Sequence, residues 1–208
     1  MDKGRGKFIT FEGGDGCGKS TQIRLAADYL AGEGYDLLLT REPGGTLIGE
    51  KIRAILLDPE NAEMADMTEM LLYAAARAQI TRDVIGPALA AGKLVICDRW
   101  ADSSIAYQGA ARGLGEAVSV VNAYAAGELF TPDATVLLDL DPGEALARSA
   151  GTEGRDRIET LGEEYQKKVR AAYLKLAAEE PERIRVIDAG GSPEEVHARV
   201  KEALRCLI

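Results

Sequence analysis

The stretch FITFEGGDGCGKS, residues 8–20, carries the strongest fold signal in the chain. It begins with five mostly β-branched and aromatic residues, which favour a buried strand, and continues as GGDGCGKS. Those eight residues match the spacing G-x-x-x-x-G-K-[ST]. The match lies where the motif requires it, directly after a strand and at the start of a helix. The stretch therefore predicts a loop that binds the phosphates of a nucleotide.

The residue types in this loop suit phosphate binding for chemical reasons. Glycines let backbone N–H groups turn toward phosphate oxygens, and the start of the next helix adds partial positive charge. Lys19 is expected to reach the β and γ phosphates of ATP, and Ser20 to ligate Mg²⁺. A glycine-rich turn with a solvated lysine is the alternative. The predicted ATP-binding residues are Gly13, Gly14, Asp15, Gly16, Cys17, Gly18, Lys19 and Ser20.

Strand-like apolar runs and segments with helical periodicity alternate along the chain. Strands are expected at Lys7–Glu12, Asp36–Thr40, Leu94–Asp98, Ala134–Asp139 and Ile184–Asp188. Helices are expected at Lys19–Ala31, Leu47–Leu57, Met64–Ala91, Gly115–Gly127, Pro142–Ala150, Glu163–Glu179 and Pro193–Cys206. The alternation predicts an α/β protein with a five-stranded parallel sheet covered by helices on both faces. Together with the phosphate-binding loop, it predicts the P-loop NTPase fold with a short lid. One domain is expected to span residues 1–208.

Composition narrows the class of ligand. The chain has 208 residues and a net charge of −9, which argues against a broad nucleic-acid or anionic-membrane surface. No apolar run approaches the ~18 residues that span a bilayer. Three scattered cysteines do not suit a disulfide framework, and a short polar N-terminus does not resemble a signal peptide. We therefore expect a cytoplasmic protein that holds a polyanionic ligand in a local basic pocket.

Charged residues follow the second and third predicted strands. Thr40-Arg41-Glu42-Pro43-Gly44-Gly45-Thr46 ends the second, and in open α/β sheets ligands bind outside such carboxyl ends. A tight turn with an exposed arginine is the alternative reading there. Asp98 ends the third strand, where P-loop enzymes place a Mg²⁺-associated carboxylate, and Arg99 follows it, suited to bidentate phosphate contact. An Asp–Arg ion pair at a strand end is the simpler alternative.

These motifs, with Asp102-Ser103-Ser104-Ile105-Ala106-Tyr107-Gln108-Gly109 after them, resemble the thymidylate kinase family. The resemblance runs from the first strand to Arg157, with the motifs in the family's order and spacing. It implies transfer of a phosphate from ATP to dTMP with Mg²⁺, by a homodimer. It also places Arg41, Pro43, Arg53 and Arg99 around the acceptor and sets Asp15 against the 3′-hydroxyl of its deoxyribose.

The resemblance further implies how the acceptor base is bound. Tyr73 and Arg77 are four residues apart and share one helical face, so the ring is expected to stack on a pyrimidine while Arg77 donates to a base carbonyl. Tyr107 is expected near the sugar 2′ carbon, with Ser104 and Gln108 at the base edge. Without the resemblance, these residues would be read as an aromatic core position, a solvated arginine and the polar face of a helix start.

A polar stretch within about 148–158 is the expected lid. The P-loop contains no arginine, so by resemblance to bacterial members of the family Arg155 is the predicted catalytic lid arginine, with Arg148 and Arg157 as alternatives. Lys19, Arg99, Arg155 and Asp15 form the predicted catalytic set. The attacking atom is already an anionic phosphate oxygen, so no general base is required. The loop Asp188–Ser192 is a candidate for the adenine site.

Two other functions fit part of the sequence. Another nucleoside monophosphate kinase, for guanylate, uridylate or adenylate, would share the P-loop and the acceptor arginines. An ATP-dependent switch would need the P-loop alone, but it would have little use for a second arginine-rich phosphate site. The N-K-x-D motif of GTPase switches is absent from the sequence.

Overall fold

The computed structural model describes residues 5–149 and 156–207. Its five strands form one parallel sheet in the order β2-β3-β1-β4-β5. The strands are β1 (Phe8–Glu12), β2 (Leu37–Arg41), β3 (Leu94–Asp98), β4 (Ala134–Asp139) and β5 (Ile184–Asp188). The predicted fold class, a five-stranded parallel sheet with helices, is confirmed.

Helices connect successive strands, as parallel pairing requires. They are α1 (Lys19–Gly32), α2 (Leu47–Leu57), α3 (Asp66–Ile80), α4 (Gly86–Ala90), α5 (Ala101–Ser104), α6 (Ala117–Ala126), α7 (Pro142–Ser149), α8 (Glu163–Glu179) and α9 (Pro193–Leu207). Two π-helical segments, Thr81–Ile85 and Ile105–Ala111, join α3 to α4 and extend α5. Short 3₁₀ turns lie at Pro59–Asn61, Gly127–Leu129 and Glu159–Leu161.

The largest error in the predicted elements is the single helix Met64–Ala91. The structure instead has α3, a π-helical turn and α4. Pro87 lies at the start of α4 and has no N–H to donate, so a regular α-helical ladder cannot continue through it. The two helical segments after β3, α5 and Ile105–Ala111, were not among the predicted helices, although a helix start was the alternative reading of Ser104, Tyr107 and Gln108.

Smaller corrections concern element ends. β1 and β2 each begin one residue later than predicted, and β2 extends to Arg41. The helix predicted at Gly115–Gly127 is shorter at both ends, because both glycines adopt positive φ values of 62° and 56°. α7 is described to Ser149, and the predicted last residue, Ala150, lies outside the described residues.

Both faces of the sheet are buried. Ile9 and Phe11 of β1 face one core cluster, which includes Leu30 of α1 and Val200 of α9. Phe8 belongs to the opposite cluster and meets Trp100 edge-on, with ring centroids 5.1 Å apart. Because β1 is held on two sides, the loop at its carboxyl end starts from a fixed point.

Sheet order brings three of those loops together. β3 lies between β1 and β2, and Asp98 of β3 is in register with both Phe11 and Arg41. The loops that follow β1, β2 and β3 therefore leave the same edge of the sheet side by side. None of the helices in the described part of the chain is long and apolar enough to cross a membrane.

Candidate active site

The loop after β1 depends on glycine at defined positions. Gly13 and Gly16 have φ values of 140° and 77°. A Cβ atom on Gly13 would lie 2.4 Å from the carbonyl oxygen of Leu138, and one on Gly16 would lie 2.5 Å from that of Ala145. Both contacts are with backbone atoms that cannot move aside. The loop therefore packs against β4 and α7 only because these residues have no side chain.

Lys19 begins α1, and its ammonium group lies over the loop. Its Nζ atom donates to the carbonyl oxygens of Gly14, at 2.9 Å, and Gly13, at 3.2 Å. The side chain is 8% exposed, and Ser20 follows it in the first turn of the helix. A cation and the N-terminus of a helix of 14 residues thus face the same small volume, which suits bound phosphate.

Arg99 ties the third strand end to this loop. Its Nη1 donates to the carbonyl oxygen of Gly13 at 3.0 Å, and its Nη2 lies 2.6 Å from Asp15 Oδ1. Burial acts to raise the pKa of Asp15, but the charges of Arg99 and Lys19 outweigh burial and hold that pKa below its usual value. Asp15 is therefore anionic at neutral pH, and it also accepts from Tyr107, at 3.4 Å.

Two more cations lie at the end of β2 and on the helix α2 that follows it. Arg41 Nη2 donates to both carboxylate oxygens of Glu50, each at 3.0 Å, and its side chain is 53% exposed. Arg53 of α2 donates to the carbonyl oxygen of Pro43 at 3.0 Å. Each arginine has an internal partner but retains further N–H groups, since a guanidinium has five. They present positive charge to the space in front of the sheet edge.

Arg77 of α3 is buried, with 1% of its surface exposed, so the alternative reading of a solvated arginine does not apply. Its Nε and Nη2 donate to Glu42 Oε2, at 2.8 and 2.5 Å. Its Nη1 donates to Ser104 Oγ at 3.0 Å and to Asn122 Oδ1. These contacts use four of the five N–H donors. One N–H group of Nη2 is left for a ligand.

The remaining predicted acceptor residues lie close to Arg77. Tyr73 is half-buried one turn before it on α3. Tyr107 and Gln108 belong to the π-helical segment, and the Tyr107 ring lies 5.1 Å from the Arg99 guanidinium carbon. Gln108 Nε2 donates to buried Glu69 at 2.9 Å, so its carbonyl oxygen is the part left to accept from a ligand.

One cavity of about 300 Å³ collects these side chains. That volume is at the lower end of small-molecule sites. It is lined by five cations, Lys19, Arg41, Arg53, Arg77 and Arg99, and by the predicted residues Asp15, Ser20, Pro43, Tyr73, Asp98, Ser104, Tyr107 and Gln108. The lining extends from Asp15 to Glu159, so residues that are up to 144 positions apart in sequence share a single cavity.

Two lining residues could hold a divalent cation. Asp98 Oδ1 is buried and has no hydrogen-bond partner among the described residues, and Ser20 lines the same cavity. Residues 5–149 and 156–207 contain no group of three or more His, Cys, Asp or Glu side chains placed to hold a metal. Two protein oxygens suit Mg²⁺, which usually takes its other ligands from water and substrate phosphates.

The predicted lid is only partly described, since Arg155 lies outside the described residues. The two alternative arginines have internal partners. Arg157 is 5% exposed, donates to the carbonyl oxygen of Leu56 at 2.9 Å and lies 2.7 Å from Glu69. Arg148 pairs with Glu144 and donates to the carbonyl oxygen of Ala189.

The sequence reasoning missed the buried partners of the site arginines. Glu42 and Asn122 fix Arg77, whereas Ser103 and Tyr173 contact Arg99. Asn122 left a weak signal, because it is a polar residue inside the otherwise apolar run VSVVNAYAA. Glu42 lay within the quoted motif, but its pairing with a residue 35 positions away has no local signature.

A glycine-rich phosphate loop next to an arginine-lined cavity, both at the same edge of the sheet, is the arrangement typical of P-loop phosphotransferases. Known proteins narrow this class to one family. The chain belongs to the thymidylate kinase family, whose sequence model matches residues 11–200.

Several relatives are similar over nearly their whole length. A thymidylate kinase from Caldanaerobacter subterraneus subsp. tengcongensis is 53% identical over 201 residues, which cover 96% of this chain and 95% of the relative. One from Symbiobacterium thermophilum is 52% identical and covers 93% and 90%. The crystal structure of thymidylate kinase from Ehrlichia chaffeensis is 34% identical, with a TM-score of 0.78, and covers 97% of this chain and 99% of that one.

Proposed function

We propose that the chain transfers the γ-phosphate of ATP to dTMP, giving dTDP and ADP in dTTP synthesis. The observation that carries this proposal is the shared cavity, which is lined both by Lys19 of the phosphate loop and by Arg99, the residue after the third strand. A donor phosphate on the loop and an acceptor phosphate among the arginines would meet there end to end.

The reaction needs positioning and charge neutralisation more than proton transfer. A phosphate oxygen of dTMP attacks the γ-phosphorus, the bond to the ADP oxygen breaks, and that oxygen leaves on ADP. Lys19 and Arg99 neutralise charge on the transferring group, while Arg41 and Arg53 hold the acceptor phosphate. Arg155 is the proposed lid cation, within a lid at about 148–158.

We propose that the base is recognised by donors and acceptors that are not used in hydrogen bonds within the protein. Tyr73 stacks on the pyrimidine, and the fifth N–H group of Arg77 donates to a base carbonyl. The carbonyl oxygen of Gln108 accepts from the base, and the hydroxyl of Ser104, which accepts from Arg77, also lies at the base edge. Tyr107 packs near the sugar 2′ carbon, and Asp15 accepts from the 3′-hydroxyl.

Ser20 and Asp98 are the proposed protein ligands of Mg²⁺. Mg²⁺ held by these two residues would offset the negative charge of the donor phosphates during transfer. The buried, unpartnered oxygen of Asp98 supports this assignment.

The adenine of ATP is assigned to a second cavity on the α9 side of the loop. This cavity of about 210 Å³ is lined by Gly18, Thr21, Arg148, Gly191 and Pro193. It borders the loop after β5, and Arg148 offers a planar guanidinium for stacking on a base.

We further propose a cytoplasmic homodimer. Large apolar side chains are exposed on three adjacent helices, with Leu47 of α2 at 88%, Leu71 of α3 at 50% and Tyr124 of α6 at 89%. Such a patch suits burial against a second copy. Light scattering should give a mass near twice 22.2 kDa, and a monomer would contradict this part of the proposal.

The decisive experiment is ADP release from ATP with a panel of nucleoside monophosphates. We expect rapid release with dTMP, slow release with guanylate, uridylate and adenylate, and little release without an acceptor. Adding EDTA should stop the reaction, and excess Mg²⁺ should restore it. A clear preference for another monophosphate would assign a different acceptor. Release that is independent of any acceptor would indicate an ATPase.

A further inference from the structure

We propose that Glu12, at the end of β1, is a positioning residue for Arg99 and acts through Ser103 and Tyr173. This inference rests on the phosphoryl transfer proposed above, in which Arg99 contacts the reacting phosphates. Glu12 itself lies behind the phosphate loop and is 0% exposed, so it is not a candidate to contact substrate.

The contacts form two steps from Glu12 to Arg99. In the first step, Ser103 and Tyr173 donate to Glu12 Oε2 from their hydroxyl groups, at 2.6 and 2.7 Å. In the second step, Arg99 Nη1 donates to the same two hydroxyl oxygens, at 3.3 and 3.4 Å. The two hydroxyls also lie 2.8 Å from each other. Glu12 therefore fixes the two groups against which the Arg99 guanidinium rests.

Glu12 also fixes the backbone from which Arg99 projects. Its Oε1 accepts from the backbone N–H of Trp100 at 2.6 Å. Arg99 has a φ of 69°, a left-handed conformation that costs energy for a residue with a side chain. Contacts on both sides of that residue hold it there, since its own N–H donates to the carbonyl oxygen of Phe11 at 3.0 Å.

A fully buried carboxylate in this place calls for an explanation. The ion pairs among the described residues do not include Glu12, although burying a carboxylate without a cation beside it is costly. A neutral side chain would fill the space at lower cost. The charge is useful if it draws the two hydroxyls, and through them Arg99, into one arrangement before substrate binds.

The surroundings of Glu12 place its ionisation near neutral pH. Burial, with the nearby charge of Asp102, raises the pKa of Glu12 to about 7, although Arg99 and the two hydroxyls act to lower it. Its titratable and charged neighbours are Arg99, Asp102 of α5, Tyr173 of α8, Cys97 of β3 and Glu42 of the loop after β2. We therefore expect that Glu12 gains its charge, and Arg99 its full support, as the pH rises through about 7.

The first test is the variant Glu12→Gln, which keeps the shape of the side chain and removes its charge. We expect kcat to fall by about tenfold to a hundredfold, as for a displaced catalytic group. The KM values for ATP and dTMP should change by less than about threefold, because Glu12 makes no direct contact with either substrate.

Tyr173→Phe should also lower kcat. The double variant Glu12→Gln/Tyr173→Phe should lose no more activity than Glu12→Gln alone, because both residues act on Arg99 through the same contacts.

The second test compares pH profiles of kcat between pH 6 and 8.5. Substrate phosphates ionise near pH 6 in every variant, so only differences from the parent protein count. Glu12→Gln should lose an inflection near pH 7. Asp102→Asn is the matched buried-carboxylate control, since Asp102 contacts Thr135 and Arg183 instead of the Arg99 partners. It should keep the inflection and move it to lower pH, because one negative charge near Glu12 is gone.

Several results would overturn the positioning role. These are a kcat of Glu12→Gln within twofold of the parent protein, losses that add fully in the double variant, or an inflection that survives Glu12→Gln. If Glu12→Gln fails to fold, Asp102→Asn decides, and an unmoved inflection rejects the role. Failure of the proposed function looks different, because the parent protein would then show no dTMP-dependent ADP release.

Discussion

The donor side and the acceptor side of the cavity are built in opposite ways. The donor side is one run of eight residues, Gly13–Ser20, whose shape depends on glycine backbone and whose charge comes mainly from Lys19 and a helix end. The acceptor side is assembled from β2, α2, α3, β3 and the π-helical segment, and it relies on side chains. A short motif thus specifies one half, whereas only the completed fold specifies the other.

The two halves also differ in how their charges are held. Lys19 rests on carbonyl oxygens of its own loop. On the acceptor side, Arg41, Arg77 and Arg99 each pair with a carboxylate, Glu50, Glu42 and Asp15 respectively. Those carboxylates fix each guanidinium before a ligand binds, but they also compete with the ligand for its N–H groups. Substitutions on the two sides should therefore have different effects on activity, ligand binding and stability.

The largest effect is expected from Lys19→Ala. Transfer should fall by about a thousandfold, because the cation acts on charge that develops in the transition state. ADP should still bind, since backbone N–H groups and the helix end remain, and the free energy of unfolding should change little. Steady-state kinetics and calorimetric ADP titration measure the two effects.

Lys167→Ala is the matched control, because Lys167 is an exposed lysine on α8 that pairs only with Glu163 and Glu164 among the described residues. It should leave both measurements unchanged. If Lys19→Ala abolished ADP binding as well, the donor side would depend on a side chain as much as the acceptor side does.

An intermediate effect is expected from Arg77→Met, and it should combine lost binding with lost stability. The variant leaves Glu42 buried without its cation, which should cost about 3 kcal/mol of unfolding free energy. It also removes the N–H group offered to the base, so the KM for dTMP should rise by about tenfold or more. Urea denaturation and initial rates give the two numbers.

The double variant Arg77→Met/Glu42→Gln separates these two losses. Removing the stranded charge should recover most of the stability and none of the dTMP affinity. Recovery of both would mean that Arg77 supports the fold and does not contact the acceptor.

The smallest effect is expected from Arg41→Ala. Its pair with Glu50 is exposed, and such pairs contribute little to stability, so the unfolding midpoint should not move. The KM for dTMP should rise by about fivefold at low salt and by less at 0.5 M salt, because exposed charges are screened. Arg24→Ala on α1, also in an exposed pair, is the control and should alter neither KM nor its salt dependence. An Arg41→Ala effect that does not depend on salt would indicate a buried role instead.

Much of the fold could be predicted from the sequence because its signals are local. The strand runs, the phosphate loop and α2 or α8 follow from composition and spacing within a few residues. The break in the predicted helix Met64–Ala91 could not be placed, since a proline near the end of a helical pattern does not reveal whether a π-helical turn absorbs it.

The candidate site could be predicted as a set of residues but not as an arrangement. The family motifs pointed to Arg77 and Gln108, and both line the cavity. Their partners Glu42, Asn122 and Glu69 are 35, 45 and 39 positions away, and no periodicity links residues at such separations. The structure is needed to show which N–H group of Arg77 and which oxygen of Gln108 remain for a ligand, because their internal hydrogen bonds must first be known.

The π-helical segment Ile105–Ala111 limits how this protein can change length. A π-helical turn holds one residue more than the α-helical turn it replaces, as the bond from Arg112 N–H to the Tyr107 carbonyl oxygen at 3.0 Å illustrates. Deleting a residue here would restore regular α-helical winding but would remove one position from the segment that brings Tyr107 and Gln108 to the cavity. Family members with altered length are therefore expected to carry their insertions and deletions elsewhere, and chimaeras joined within this segment to fail.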